Sequence, residues 1–336
     1  MANFVGAPGV RHYRCYWAAD AMGAQVVDSY EDRDSFVEID DRDETIAAEI
    51  EAAGPSSVKV WWTNDYRKEA QAFQSLMREY GAEVVFDLDD LFTDLPKSNR
   101  AFQAWGAGRK SLMKAALDGA DRVVCSTPLL AERFGGVVAP NYIEMDAWGG
   151  HPVRPTKRDD ECVLMCAGGA GRAMDFHGLR PALEAFLELP HTKVVFANSM
   201  PDWGTQYDPG KVVWVRFLPM SVYPRMMKWI SPDLVVSPLE HNEFNAAKSN
   251  IKWLEAGAIG ACFVGERWGE YKRTVRDAAD GVLAEGKQWK DRLVELALDK
   301  ELRDDIAAEG RRVVHSAYTW ESVAPTWESA VLGKGE

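Results

Sequence analysis

The chain has 336 residues, 46% of them apolar and 13 of them Trp, with 52 acidic against 39 basic side chains and a net charge of −13. That length exceeds what a single core usually supports, so two domains are expected, and the mixed charges argue against a long disordered tract. The acidic balance repels polyanions and disfavours extended contact with nucleic acid.

No apolar run approaches the ~18 residues that a membrane span requires. The opening "MANFVGAPGVRHYR" lacks the charged and then apolar plan of a signal peptide, so a cytoplasmic protein is expected. Five cysteines, Cys15, Cys125, Cys162, Cys166 and Cys262, lie mostly in apolar strand-like runs without zinc-ribbon spacing, and are read as reduced core thiols.

In chain order, a short first strand leads into "GAPGVRHYR", which should form a loop and the start of a helix. "SVKVWWT" (57–63), "AEVVFDLDD" (82–90) and "RVVCST" (122–127) read as buried strands. Between them, "YRKEAQAFQSLMREYG" and "AFQAWGAGRKSLMKAALDGA" repeat apolar residues at three- and four-residue spacing, the period of amphipathic helices. Right-handed crossovers in such β-helix-β units bring the strand C-terminal ends to one side. The charged, turn-rich "GGHPVRPTKRDDE" (149–161) is the best linker. Beyond it "CVLMCAGG" (162–169), "KVVFANS" (193–199), "VVWVRFL" (212–218), "LVVSPL" (234–239) and "ACFVGE" (261–266) are strand-like, with helices over "LRPALEAFLEL" and "NAAKSNIKWLEAG". The last segment reads as two helices parted near "SAYTW", the second holding Trp320 and Trp327 on one packing face. The fold class is therefore α/β, with two Rossmann-like halves facing a cleft where open sheets bind ligands.

"EFNAAKSNIKWLEAGAIG" (243–260) sets Lys248, Lys252 and Glu255 on what reads as one helix beginning near Asn245. The spacing i, i+4, i+7 would point all three to one region. Spacing alone also describes a solvated face with ordinary Glu and Lys pairing. "VVFDLDDLFTDLPKSN", "ADRVVCSTPLLAE", "VVAPNYIEMDAW" and the closing "YTWESVAPTWESAV" complete a recurring order of motifs.

With these, the chain resembles retaining glycosyltransferases of the GT-B fold, and most closely a bacterial or phage variant reading Phe-Asn-x-x-Lys-Ser-x-x-Lys-x-x-Glu. Phe244, Asn245, Lys248, Ser249, Lys252 and Glu255 stand at its positions. The resemblance implies an N-terminal acceptor-side domain (1–150), a nucleotide-sugar donor domain (151–316) and a C-terminal helix (317–336) returning to the first domain. It implies transfer of a sugar from a nucleoside diphosphate, a UDP- or GDP-sugar, to an acceptor hydroxyl with retention and without a required cofactor. Mg is conceivable but not expected, and no metal site is assigned.

Lys248 and Arg172 are the implied catalytic cations for the leaving diphosphate. Gly168 and Gly169 of "AGGAGR", with Asn245, Lys248, Ser249 and Glu255, form the implied donor site, Glu255 accepting from the ribose hydroxyls. His12, Arg14, Asp89 and Asp90 are placed on the acceptor side, with Arg14 also suited to anchor its helix to Asp87 or Asp89. Asp-x-Asp in "DLDD" invites a metal reading that the resemblance does not support. The chain departs from the more common Glu-x7-Glu pattern at Ala247, so that role is absent or falls to Lys248 or Glu243. In the loop where relatives often read Gly-Ser-x-x-His-x-x-Asp, Arg172 stands near the histidine position, whereas Asp175 is kept.

Acceptors left open are a glycan, a protein, a lipid-linked precursor and modified phage DNA, the last disfavoured by charge. Trp61, Trp62, Tyr66 and Trp105 could stack on sugars or bases, or simply pack. Alternatives to transfer are a nucleotide-sugar epimerase of the same shape and a non-catalytic binder of sugar nucleotides or glycans.

Overall fold

The computed structural model describes residues 2–6, 12–26, 59–63, 81–97, 108–149, 160–168, 174–216 and 219–333, with a few isolated positions at 71–79, 99 and 102. The linker at 150–159, the loop residues 169–173 and the aromatic residues Tyr66 and Trp105 lie outside them, as do the side chains of Trp61 and Trp62.

Among the described residues, two six-stranded sheets carry the fold, and every pairing within them is parallel. The first comprises β1 (Ala2–Gly6), β2 (Gln25–Val26), β3 (Lys59–Thr63), β4 (Glu83–Leu88), β5 (Arg122–Cys125) and β6 (Val137–Val138), in the order β2-β1-β3-β4-β5-β6. The second comprises β7 (Cys162–Gly168), β8 (Thr192–Asn198), β9 (Val212–Val215), β10 (Leu234–Ser237), β11 (Cys262–Glu266) and β12 (Val282–Ala284), in the order β12-β11-β10-β7-β8-β9. Strand order therefore reverses between β7 and β10, which opens a crevice beyond their C-terminal ends. β7, β10 and β11 are buried along their whole length, as expected of strands covered on both faces.

The strands expected from sequence at 57–63, 82–90, 122–127, 162–169, 193–199, 212–218, 234–239 and 261–266 all appear, trimmed by a few residues. All five cysteines are free and buried. Alternate residues of β7 split between two apolar clusters. Val163, Met165 and Ala167 face Trp253, Leu254 and Met227, whereas Cys162, Leu164 and Cys166 face Phe176, Phe186 and Leu293.

The closing helices are Lys300–Ala317 and Trp320–Leu332. The first crosses the helix Ile251–Ile259 so closely that a Cβ on Gly257 would lie 2.5 Å from Val314 Cγ2 and 3.0 Å from the Gly310 carbonyl, and only glycine fits. The second lies against the first sheet's residues. Trp327 Nε1 donates to the Pro140 carbonyl at 2.8 Å, Arg122 reaches the Ser329 carbonyl, and Val323, Trp327, Ala330 and Val331 pack with Val85, Val124 and Tyr142. Trp320 and Trp327 do share one face, each with its ring against Tyr142 at 5.3 and 5.7 Å between centroids.

One expectation is corrected. The segment 243–260 is not a single helix but two, Glu243–Ala246 and Ile251–Ile259, parted by residues 247–250. Asn242 caps the first through Asn245 N at 2.8 Å, and the Asn250 carbonyl receives Trp253 N at 2.9 Å to open the second. Ser249 and Asn250 favour such ends over a helix interior. Lys248 thus lies in the connection, and the i, i+4 relation to Lys252 on one helix face does not hold.

Candidate active site

The connection 244–249 is where the two sheets' residues meet. Ala247 is fully buried and Phe244 nearly so, both packed with Leu88, Leu91, Leu95, Met113 and Leu130 from the first sheet's side. Thr127, the cap of helix Pro128–Phe134, donates its hydroxyl to the Ala247 carbonyl at 3.1 Å. Lys248 Nζ lies 3.1 Å from Asp90 Oδ1 and 4.2 Å from the Phe244 ring centroid. The Ser249 hydroxyl accepts from Asn141 Nδ2 at 2.8 Å. Asp90 follows β4, Thr127 follows β5 and Asn141 follows β6, so the C-terminal ends of the first sheet abut the loop that leaves β10.

Beneath these contacts is a buried network. Arg14 is wholly inaccessible, its Nε 3.0 Å from Asp87 Oδ2 and its second terminal nitrogen against Asp87 Oδ1. The remaining terminal nitrogen donates to the Ala139 carbonyl at 2.5 Å and to Asn141 Oδ1 at 3.2 Å, and the guanidinium covers Trp327 at 4.4 Å. Burial pulls its pKa down, but the Asp87 charge and hydrogen bonds more than offset this, and the group stays charged. Asn141 Nδ2 also donates to Asp89 Oδ1 at 3.2 Å. Arg14 is therefore the anchor of its helical turn to Asp87 and is linked to the cleft through Asn141. Asp89 is almost fully buried in the same network, and Asp90 points to Lys248.

Glu255, 2% exposed, accepts from three donors: Tyr13 Oη at 2.9 Å, Tyr223 Oη at 3.0 Å and Lys252 Nζ at 2.6 Å. Burial, and after it the Glu255 charge, holds both phenols well above their usual pKa, so they remain donors. Lys252 also lies 5.1 Å from the Tyr223 ring centroid. Asn245, nearly buried, donates to Asp175 Oδ1 at 3.1 Å and to the Glu240 carbonyl at 3.0 Å, and Glu240 N donates to the same Asp175 oxygen at 3.2 Å. Asp175 thus ties the end of the β7 loop to the start of the β10 loop. Gly168 closes β7 and is buried, whereas Gly169 and Arg172 lie outside the described residues. His12 stacks edge-on against Tyr16 and Trp17, at 5.0 and 5.9 Å. Glu243, suggested as a substitute for the missing glutamate, is exposed and 3.5 Å from Arg133.

Lys248, Ser249, Asn245, Asp89 and Asp90 are thus brought together, Glu255 stands on the following helix, and Arg14 lies beneath. Sequence reasoning did not single out Tyr13, Tyr223 or Asn141. Polar groups flanking apolar runs were their only signal. Among the described residues, no group of three or more His, Cys, Asp or Glu is arranged to hold a metal ion, and no helix is long and apolar enough to cross a membrane.

Residues 179–329 match the family model described as Glycosyl transferase-like. The chain superposes on the Anabaena Alr3699/HepE structure in complex with UDP, with a TM-score of 0.63, 12% identity and coverage of 99% of this chain and 100% of that one. The fold is GT-B. Sucrose-phosphate synthase from Thermosynechococcus elongatus gives a TM-score of 0.68 at 13% identity, over 98% of each chain. The pneumococcal O-GlcNAc transferase GtfA in complex with UDP and GlcNAc gives 0.58 at 13% identity, over 87% of this chain and 60% of that one. Among curated protein sequences none matches this chain. In this GT-B chain the site assembled above lies at the strand-order reversal of the second sheet, facing the C-terminal ends of the first.

Proposed function

We propose that this protein is a glycosyltransferase that moves a sugar from a nucleoside-diphosphate sugar to an acceptor hydroxyl in the crevice between β7, β10 and the first sheet. The observation that carries the reading is Lys248, held beside Ser249 just ahead of helix Ile251–Ile259 and 3.1 Å from Asp90. The first N–H groups of a helix lack intrahelical partners and favour an anion. An ammonium two residues ahead of the helix cap adds a movable cation, which a diphosphate draws away from Asp90 as the donor binds.

Stabilising the departing diphosphate is then the work of Lys248, the helix start and, from the β7 loop, Arg172. Glu255 serves the ribose. Its three present donors leave little unused acceptor capacity, so a ribose hydroxyl takes the place of the Tyr13 or Tyr223 hydroxyl, each of which makes the same kind of contact. Retention rests on the resemblance alone; because Ala247 is packed in an apolar cluster and supplies no carboxylate nucleophile, a retaining transfer here would run through the phosphate assisting the incoming hydroxyl on the same face. A UDP-sugar is the first donor to test, since UDP occupies the HepE and GtfA structures. Acceptor glycans, proteins and lipid-linked precursors approach from Asp90 and His12, whereas Asp89, expected on that side, is almost fully buried and held by Asn141.

The test is calorimetric titration of UDP and GDP into the wild type and Lys248→Ala. One nucleotide should bind the wild type, with affinity about tenfold or more weaker in the variant, the loss of one charge-assisted contact. Equal affinity in both proteins would remove Lys248 from the donor site.

A further inference from the structure

On the other flank of the β10 loop stands a second polar cluster that the reading above does not use. His241 follows β10, and Glu266 is the last residue of the neighbouring β11, so both lie at strand C-terminal ends. His241 Nε2 is 3.1 Å from Glu266 Oε1, and Glu266 Oε2 accepts from the Trp289 indole at 3.0 Å. The imidazole stacks on Trp268, 4.4 Å between centroids and 12° from parallel. Glu266 is nearly buried, but the His241 side chain is 45% exposed. The Trp268 indole N–H, buried beside it, meets no acceptor among the described residues.

The loop carrying His241 is held firmly. Asp175 receives Glu240 N and Asn245 Nδ2, Asn242 caps Asn245, and Gly269 at φ +52° brings the Trp268 turn so close that a Cβ there would lie 2.8 Å from the Ala246 carbonyl. An imidazole fixed by a carboxylate on one side and an indole face beneath it has one orientation. Burial raises the Glu266 pKa, and the Trp289 and His241 contacts work against that rise; as a carboxylate Glu266 only accepts, and then Nε2 carries the proton and Nδ1 is the acceptor.

We propose that His241, oriented by Glu266 and Trp268, accepts a hydrogen bond from a hydroxyl of the sugar carried by the nucleotide donor, and so helps set which sugar the protein takes. On a side chain 45% exposed, an Nδ1 lone pair suits a ring hydroxyl, and a site built to bond a hydroxyl discriminates strongly against a ligand that lacks it. This inference rests on the donor reading above and assigns the sugar end, where Lys248 serves the diphosphate end.

The experiment compares UDP with UDP-glucose, and GDP with GDP-mannose, by calorimetry on the wild type, His241→Ala, His241→Asn, Glu266→Gln and Lys248→Ala, each checked for native circular dichroism. For the pair that binds, His241→Ala should bind the bare diphosphate as the wild type does but the nucleotide-sugar about tenfold more weakly. His241→Asn, whose amide oxygen can stand near Nδ1, should restore part of that loss. Glu266→Gln should weaken only the nucleotide-sugar, because the Gln amide donates to Nε2 and turns Nδ1 into a donor. Lys248→Ala should weaken both ligands. Unchanged nucleotide-sugar affinity in His241→Ala, or equal loss for both ligands, overturns the assignment of His241 while leaving the donor reading standing. No binding of any nucleotide to the wild type overturns both.

Discussion

Replacing Asp87 by Asn removes the carboxylate that, among the described residues, contacts Arg14 directly, in a place from which water is excluded, since both side chains are fully inaccessible. In the native protein the guanidinium has two bonds to Asp87, one each to the Ala139 carbonyl and Asn141, and the Trp327 face. Asn keeps the shape and one acceptor but leaves the charge uncompensated. Removing one member of a buried ion pair costs about 3–5 kcal/mol. At about 2–4 °C per kcal/mol for a unit of ~150–250 residues, the expected fall in Tm is about 6–20 °C. The double replacement Arg14→Met, Asp87→Leu removes both charges and should unfold well above Asp87→Asn, because the desolvation cost of the pair disappears with it. Near-ultraviolet circular dichroism reads the transition through the buried Trp327. If Asp87→Asn unfolds within about 1 kcal/mol of the wild type, or the double variant is less stable than the single, the network does not anchor the site in the way described.

Ala247→Glu would place a carboxylate among Leu88, Leu91 and Leu130, where an unpaired charge costs several kcal/mol, at least about 3. The variant should lose stability in a thermal melt and gain no activity, despite recreating the Glu-x7-Glu spacing. Burial lowers the pKa of His315 below its ordinary 6.5, although its contact with the Ala258 carbonyl works against this. The native chain therefore binds fewer protons here than the unfolded chain, stability falls as pH drops through about 6.5, and His315→Asn should flatten that part of a pH–stability curve.

Most of the layered fold could be read from the sequence, because strands buried on both faces are continuous apolar runs and the crossover helices carry a 3.6 period. The break at 247–250 was less legible. Ala247, Lys248 and Ile251 continue the helical pattern, and the cap made by the Asn242 side chain emerges only once the loop packs against Leu88 and Thr127. Arg14 next to Asp87 could be anticipated as an anchor, since a strand-end aspartate and an early helix arginine meet in such units. Tyr13 and Tyr223 could not, because their hydroxyls come from residues 242 and 32 positions away from Glu255. His241 and Glu266 were equally hidden, their pairing depending on β10 and β11 lying side by side.

The central claim is that the crevice at the ends of β7 and β10 handles a nucleotide-sugar through Lys248. The direct measurement is donor consumption, followed as release of UDP or GDP from a panel of nucleotide-sugars by the wild type and Lys248→Ala. The account predicts that the wild type consumes one donor, by transfer or slow hydrolysis, and that the variant does so about 10²–10³-fold more slowly, the usual effect of losing one charge-stabilising group. Consumption at the wild-type rate by Lys248→Ala, or none by the wild type with any donor, would contradict it.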